Sequence, residues 1–472
     1  MGGQSGQITV HALGFDDVIV LPGLSSVEPH EVDISGKASR SVKLHIPLLS
    51  SPMDTVTEWR MAVVLALKGA LGVVHRNMSI EDQVEQLRRV KQHPLIRLSS
   101  VSVPLRAECC YVLDQMRRHG LRRLPVVDEP TGRLRGYVHY HSLLGCRCGE
   151  PIAKHVEPGK WYSLSEWRDA LRIVARGEAD AVAIVEDGVF VGTVTVNEAL
   201  EEYRPLTDED GRLRVAAAVS PLDLERASRL EKYADVLVSD VAHFHNRNVL
   251  SSARRLVSMV SADFVAGNLG SYEGVVDTIT TVEAVAGLRM GIAGGSICTT
   301  SGVTGVAAPT LYAVMEAARA LRDHGIPLDK IPIIADGGIR GAGDALKALA
   351  AGASAVMAGY MLAGTDETPA PLIRVGDRLY KPYRGMASKG AMERRFAADR
   401  YTTTAKKVEE GVEGLVPYRG PASRIIDEFA EALRAGMGYA GARSLKELWG
   451  KARLAIITSR IGAYQNLVRT SL

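Results

Sequence analysis

The stretch IPIIADGGIRGAGDALKALAAGASAVMAGYM, residues 331–361, decides the fold. It opens on a near-continuous apolar run, IPIIADGG (331–338), and closes on another, AVMAGYM (355–361). A strand with one wet face alternates apolar and polar residues. A parallel strand buried on both faces does not, and it reads as these runs do. The same signature recurs upstream in RVAAAVS (214–220), VLVSDV (236–241), DFVAGNL (263–269) and LRMGIAG (288–294). Amphipathic segments such as LERASRLEKY and AVMEAARALRDHG lie between most of them, the second ending on a glycine as helix C-termini do.

Alternation of this kind gives a parallel α/β fold with right-handed crossovers. Two more units lie early, IPLLSSPM (46–53) with TEWRMAVVLALKG and LGVVH (71–75) with SIEDQVEQLRRVK. With the six later ones they make the eight that close a (β/α)8 TIM barrel. Residues 95–207 interrupt the series. There, RLPVVDEPTGRLRGYVHYHSLL and AVAIVEDGVFVGTVTVNEAL each read as strand–turn–strand–helix, with Asp128 and Glu186 58 residues apart and Gly136 and Gly192 56 apart. This is a duplicated α/β module inserted between barrel halves 1–94 and 208–472.

The 472 residues suit two or three domains. Hydrophobic content is 46% and charged content 24%, enough for a substantial core. A net charge of +3, from 57 basic and 54 acidic residues, argues against a nucleic-acid surface. The longest apolar run, MAVVLALKGALGVV, is broken by Lys68 and too short to span a membrane. The N-terminus has no secretory pattern and Gly6 stands where lipidation needs Ser or Thr, so a cytoplasmic location is expected. Six Asn and seven Gln are few, as in heat-adapted proteins, where intracellular disulfides occur. Pairing among Cys109, Cys110, Cys146 and Cys148 and four reduced or buried thiols both remain open. The C-x-C spacing at 146 and 148 is not that of a zinc motif.

Catalytic groups of a barrel sit at the C-terminal strand ends. Those ends read Ser51-Pro52-Met53-Asp54, Ser239-Asp240, Gly267-Asn268, the loop AGGSICTTSGVTG (293–305), Asp336-Gly337-Gly338 and Gly359-Tyr360. Glycines on adjacent strands let backbone N–H groups face an anion, and the ends of strands seven and eight are the usual phosphate position. A phosphorylated ligand follows. Cys298, on this rim, reads equally as a nucleophile and as a small buried residue. His243 and His245 read as ligand or solvent contacts more readily than as metal ligands. The charged stretch 384–420 is long enough to be a functional loop that closes over the site.

The residues now identify a family. GFDDVIVLP (14–22), LLSSPMDTVTE (48–58), GSICTT (295–300), IADGGI (334–339), YKPYRGM (380–386), DRY (399–401) and EEGVEG (409–414) stand in the order of the IMP dehydrogenase and GMP reductase family, which the chain resembles over nearly its whole length. The insert resembles the tandem CBS modules of that family. The resemblance implies NAD-dependent oxidation of IMP to XMP in guanine nucleotide synthesis. Cys298 would attack C2 of the purine and form a thioimidate. Arg400, paired with Tyr401, would activate the hydrolytic water with help from Thr300. Asp240 would hold the NAD ribose, with Asn268 nearby. Ser296, Gly338, Gly359, Tyr360 and Tyr383 would surround the phosphate and Asp336 the ribose hydroxyls, while Ser51, Met53, Gly385, Met386 and Glu410 would shape the base site.

Backbone carbonyls of Ala293, Gly295 and Cys298 match a monovalent-cation (K+) site. The family also implies a homotetramer or octamer, and an adenine nucleotide at the inserted modules. The DRY motif and the insert favour the dehydrogenase over an NADPH-dependent GMP reductase. A third reading is a nucleotide-binding regulatory paralogue, because the loop after Thr300 is rewritten: Ser301 replaces the family's arginine, and no glutamine follows Pro309. Likewise Ala293 replaces a glycine and Tyr360 a serine.

Overall fold

A computed structural model describes residues 10–393 and 410–458. By its contacts the chain divides into two units, 1–91 with 205–472, and 92–204.

The first unit is built on eight parallel strands: β1 (Leu48–Ser50), β2 (Val73–Val74), β3 (Ala216–Val219), β4 (Val236–Ser239), β5 (Asp263–Leu269), β6 (Gly287–Met290), β7 (Ile333–Asp336) and β8 (Ala355–Ala358). Each from β2 to β7 pairs with its successor in sequence, and β8 returns to pair with β1. Leu49 also bridges Leu71, just ahead of β2, so the sheet closes. All eight apolar runs expected from the sequence coincide with these strands, most of them trimmed at the ends, while β6 starts one residue before its run, at Gly287, and β5 matches its run in full. The helices after them are α1 (Trp59–Leu67), α2 (Ile80–Gln92), α3 (Leu224–Leu230), α4 (Arg247–Met259), α5 (Tyr272–Thr281), α6 (Thr310–Asp323), α7 (Ala342–Ala350) and α8 (Ala422–Tyr439). Asp223, Asn246 and Ser271 cap α3, α4 and α5 by accepting backbone N–H groups, the role such short polar side chains fill at helix starts.

Alternate residues of the strands fill the barrel. Ala216 and Ala218, Val236 and Val238, and Ala355 and Met357 share one buried cluster with Leu49, Val73, Val265 and Ile334. The hairpin Gly36–Lys37 with Lys43–Leu44 adds Ala38, Val42 and Leu44 to it and covers the end opposite the site. With one end plugged, a ligand can enter only at the C-terminal strand ends.

In the 92–204 unit the repeat is physical. Arg123–Asp128 pairs with Arg133–His139, and Ala181–Glu186 with Val189–Thr195. Both hairpins shift register at equivalent points, between Val126 and Val127 and between Ile184 and Val185, with Gly136 and Gly192 in the facing strands. The copies differ after the second strand. A short α-helix, Val196–Leu200, follows in the second copy, where Thr195 caps it. The first copy has only a 3-10 turn, His141–Leu143, not the helix its sequence suggests, because Tyr140 supplies no side-chain cap and Gly145 adopts φ 92° immediately after. Cysteine pairing is resolved as Cys109–Cys146 and Cys110–Cys148.

Candidate active site

Six strand ends and one return loop build a single pocket. The return loop begins on Arg378–Arg384, which pairs antiparallel with Glu413–Pro417. Beyond that ladder Gly385 N–H donates to Val412 O, and Glu410 N–H to Ala387 O. On its other side the 410–412 segment meets the cysteine loop: Thr299 N–H donates to Glu410 O, and Val412 N–H to Ile297 O. Segment 410–412 is therefore wedged between 385–388 and 297–299 as a short irregular sheet, and a Cβ at Gly385 would lie 3.1 Å from Gly411 Cα.

This wedge aligns three functional groups. Cys298 Sγ lies 3.1 Å from Thr300 Oγ1, and Thr300 Oγ1 donates to Glu410 Oε2 at 2.9 Å. With the hydroxyl proton directed at the carboxylate, the thiol proton points at the hydroxyl oxygen. The chain S–H to O–H to carboxylate is a path along which the thiol proton can leave. Glu410 is 3% exposed, so the path is shielded from water. Cys298 is the one unpaired cysteine and is half-buried on the pocket wall.

Glycine backbone lines the same pocket. Gly337 and Gly338 adopt φ 98° and 76°, conformations that only glycine takes without strain. Gly359 is required for space. A Cβ there would lie 3.0 Å from Met53 Sδ, 3.1 Å from Tyr383 Oη and 3.4 Å from Ser51 Oγ. Burial pushes the Tyr383 phenol up, against an opposing hydrogen bond with Ser296, so it remains a neutral donor at physiological pH. The Tyr360 ring lies 6.0 Å from that of Tyr383, and the Arg419 guanidinium sits 4.7 Å over Tyr360. Ser296, Gly338, Gly359, Tyr360 and Tyr383 thus line the pocket together.

Asp54 ties down the segment that follows Ser51 and Met53. Burial raises its carboxyl, but bonds from Arg384 and Asn77 outweigh this and hold it below its ordinary value. Arg384 Nη2 lies 2.6 Å away, and Asp54 N–H approaches Met386 Sδ at 3.4 Å. Ser51, Met53, Gly385, Met386 and Glu410 line the same pocket. Asn268 donates to Gly291 O at 2.9 Å and to Asp336 Oδ2 at 2.8 Å, putting both side chains on the wall beside the cysteine loop.

Ala293 and Gly295 also line the pocket. Ala293 adopts φ 62°, so the backbone keeps the course that a glycine would take freely. We expect Ala293→Gly to raise stability by up to about 1 kcal/mol, strain relief being partly offset by a looser unfolded chain. A lower denaturation midpoint in the variant would contradict this.

One expected residue does not line the pocket. Asp240 is 0% exposed and does not line it. Its carboxylate lies 3.3 Å from Arg76 Nε and 3.6 Å from Arg289 Nη1. Arg400 and Tyr401 lie outside the described residues. The sequence reading missed Arg289, which donates to Asp336 through Nε at 2.9 Å and Nη2 at 2.8 Å. A lone charge inside the apolar run LRMGIAG was the available signal. It also missed Arg340, on the pocket wall directly after the Gly337-Gly338 turn and paired with Asp16 and Asp344.

The family model for the IMP dehydrogenase / GMP reductase domain matches residues 12–464. The chain belongs to the IMP dehydrogenase / GMP reductase family. Inosine-5'-monophosphate dehydrogenase of Korarchaeum cryptofilum is 44% identical over 456 residues, covering 95% of this chain and 94% of that one. The Methanocaldococcus jannaschii enzyme of the same name is 40% identical, covering 95% and 93%. Among solved structures, GMP reductase of Trypanosoma brucei in complex with guanosine 5'-monophosphate superposes with a TM-score of 0.67 at 34% identity, covering 95% of this chain and 96% of that one. No helix of the described residues is long and apolar enough to cross a membrane.

Proposed function

We propose that this chain is an IMP dehydrogenase, oxidising IMP to XMP with NAD. The observation that carries the reading is the Cys298–Thr300–Glu410 chain facing a glycine-lined anion cradle. A thiol needs its proton removed to attack a purine, and the two oxygens offer that route. In the cradle, Ser296, Gly338, Gly359 and Tyr383 hold the 5'-phosphate, while Asp336, fixed by Arg289 and Asn268, takes the ribose hydroxyls. C2 then lies over Cys298. The thiolate adds to C2, and the thiol proton is held at Glu410. Loss of hydride from C2 leaves a thioimidate on Cys298, which water hydrolyses to XMP. Thr300 orients that water, and Arg400 with Tyr401 activates it.

NAD supplies the hydride acceptor. Ala242 and Asn268, on the wall beside the cysteine loop, fit its nicotinamide end. Asp240 would reach the cofactor's ribose only by giving up Arg76 and Arg289. For K+, the glycine-like backbone at Ala293 keeps the 293–298 carbonyl course that a cation needs. The inserted modules are read as a CBS pair that takes an adenine nucleotide, the assembly as a homotetramer or octamer, and the location as the cytoplasm.

The test mixes purified protein with IMP and NAD+, or with GMP and NADPH, and follows the near-ultraviolet absorbance of reduced nicotinamide. A rise with IMP and NAD+ alone is expected. A fall with GMP and NADPH alone would make the chain a GMP reductase. Silence in both, with purine nucleotide still bound, would make it a regulatory paralogue. In the same assay Gly359→Ala should raise the KM for nucleotide roughly tenfold, about 1.4 kcal/mol, as the new methyl crowds the cradle. An unchanged KM would remove Gly359 from the phosphate site.

A further inference from the structure

We propose that Cys109, Cys146 and His155 form a binding site for a soft divalent cation, Zn2+, available whenever the disulfides of the 92–204 unit are reduced. A sulfur from each cysteine and a ring nitrogen of His155 all lie within 4.8 Å of one another. Ligand atoms around a tetrahedral zinc stand roughly 3.5–4 Å apart, given bonds of about 2.0–2.3 Å, so once the Cys109–Cys146 bond is opened the two sulfurs separate to that spacing while the imidazole closes in slightly. Two thiolates and an imidazole select zinc over harder cations.

His155 supplies a second, independent observation. Its Nε2 is buried and has no hydrogen-bond partner among the described residues. A buried, unsatisfied ring nitrogen is costly unless something binds it. Glu150 offers a fourth ligand, because its Oε2 lies 3.7 Å from Cys146 Sγ.

The site survives loss of the disulfide because the backbone holds its parts together. Cys109 opens the helix Cys109–His119, and its N–H donates to Glu150 O at 2.9 Å. Ile152 N–H donates to Ala107 O at 2.9 Å, Glu108 bridges Pro151, and Ile152 is 0% exposed in the module's core. These bonds hold the 150–152 segment, and with it the adjoining residues, against the helix start. The second pair, Cys110 and Cys148, lies outside the ligand group.

The two states interconvert by balanced chemistry. A dithiol reductant cleaves the Cys109–Cys146 bond. Each sulfur gains one electron and one proton, and the dithiol closes to its own disulfide. Zn2+ then displaces the two thiol protons. Reoxidation by a disulfide reverses the sequence and releases the ion.

The experiment uses the full chain carrying Cys298→Ala, so that the barrel thiol adds no signal, and Co2+ as the probe. After reduction by a phosphine the chain should bind one Co2+ with a thiolate-to-cobalt charge-transfer band that Zn2+ abolishes, while the oxidised chain binds none. Cys146→Ser and His155→Ala should each weaken binding by about tenfold or more, and the double variant Cys110→Ser/Cys148→Ser should bind as before. Absence of the band in the reduced chain would overturn the proposal without recourse to any variant. Undiminished binding by His155→Ala, or dependence on Cys110 and Cys148, would also overturn it.

Discussion

Cys298→Ala should reduce turnover of IMP by roughly 10⁴-fold or more, in line with removal of a covalent nucleophile elsewhere, while IMP still binds. C2 of a purine is a poor electrophile, and hydride departure directly from the aromatic ring has no low-energy route. Addition of sulfur makes that carbon tetrahedral first, dividing one hard step into two easier ones. The cradle formed by Gly338, Gly359 and Tyr383 is separate from the sulfur, so the substrate's phosphate keeps its contacts. Cys298→Ser is expected to remain inactive, because Thr300 and Glu410 can relay a thiol proton but cannot bring a hydroxyl near its much higher pKa. Thr300→Val should slow the reaction by a smaller factor, since it breaks the relay and leaves the sulfur. Calorimetric IMP affinity and steady-state rates check all three. Turnover by Cys298→Ala within tenfold of the parent would refute the covalent route.

Arg289→Met should cost roughly 3–5 kcal/mol of stability, the penalty for leaving buried carboxylates without their cation. Its side chain is 4% exposed and holds three partners at the ends of two strands: Ser239 O and Asp240 after β4, and Asp336 on β7. The carboxylates of Asp240 and Asp336 are 1% and 13% exposed. Without Arg289, Asp240 retains Arg76, but Asp336 keeps only the Asn268 amide among these contacts. Adding Asp336→Asn to the variant should recover part of the loss, at the expense of ribose binding. Denaturant midpoints at constant m-value measure this. A loss below about 1 kcal/mol, or no recovery in the double variant, would show that the pair does not brace the floor of the pocket.

The barrel was legible because burial on both faces writes strands as unbroken apolar runs, and β5 was found to the residue at 263–269. The pocket was legible where strand ends and glycines mark backbone that lines the cavity, as at Gly338 and Gly359. The direction of a side chain was not legible. Asp240 sits at a strand end, where a ligand contact is expected, yet it turns to Arg76, 164 residues away in sequence. Pairing over that distance depends on closure of the barrel, which no local pattern encodes. For the same reason Arg289 read as an anomaly in an apolar run, and its two acidic partners became visible only in three dimensions. Cysteine pairing was equally open from spacing. It follows from the loop that carries Cys146 and Cys148 packing on the start of helix Cys109–His119.

The central claim is a covalent bond between Cys298 and C2 of the purine. The most direct measurement quenches the protein in acid during turnover with IMP and NAD+ and maps the proteolysed chain by mass spectrometry. The peptide containing Cys298 should carry the mass of one oxidised nucleotide, and the adduct should vanish when NAD+ is omitted. Steady NADH production with an unmodified Cys298 peptide at every quench time, or an adduct on any other residue, would contradict the account.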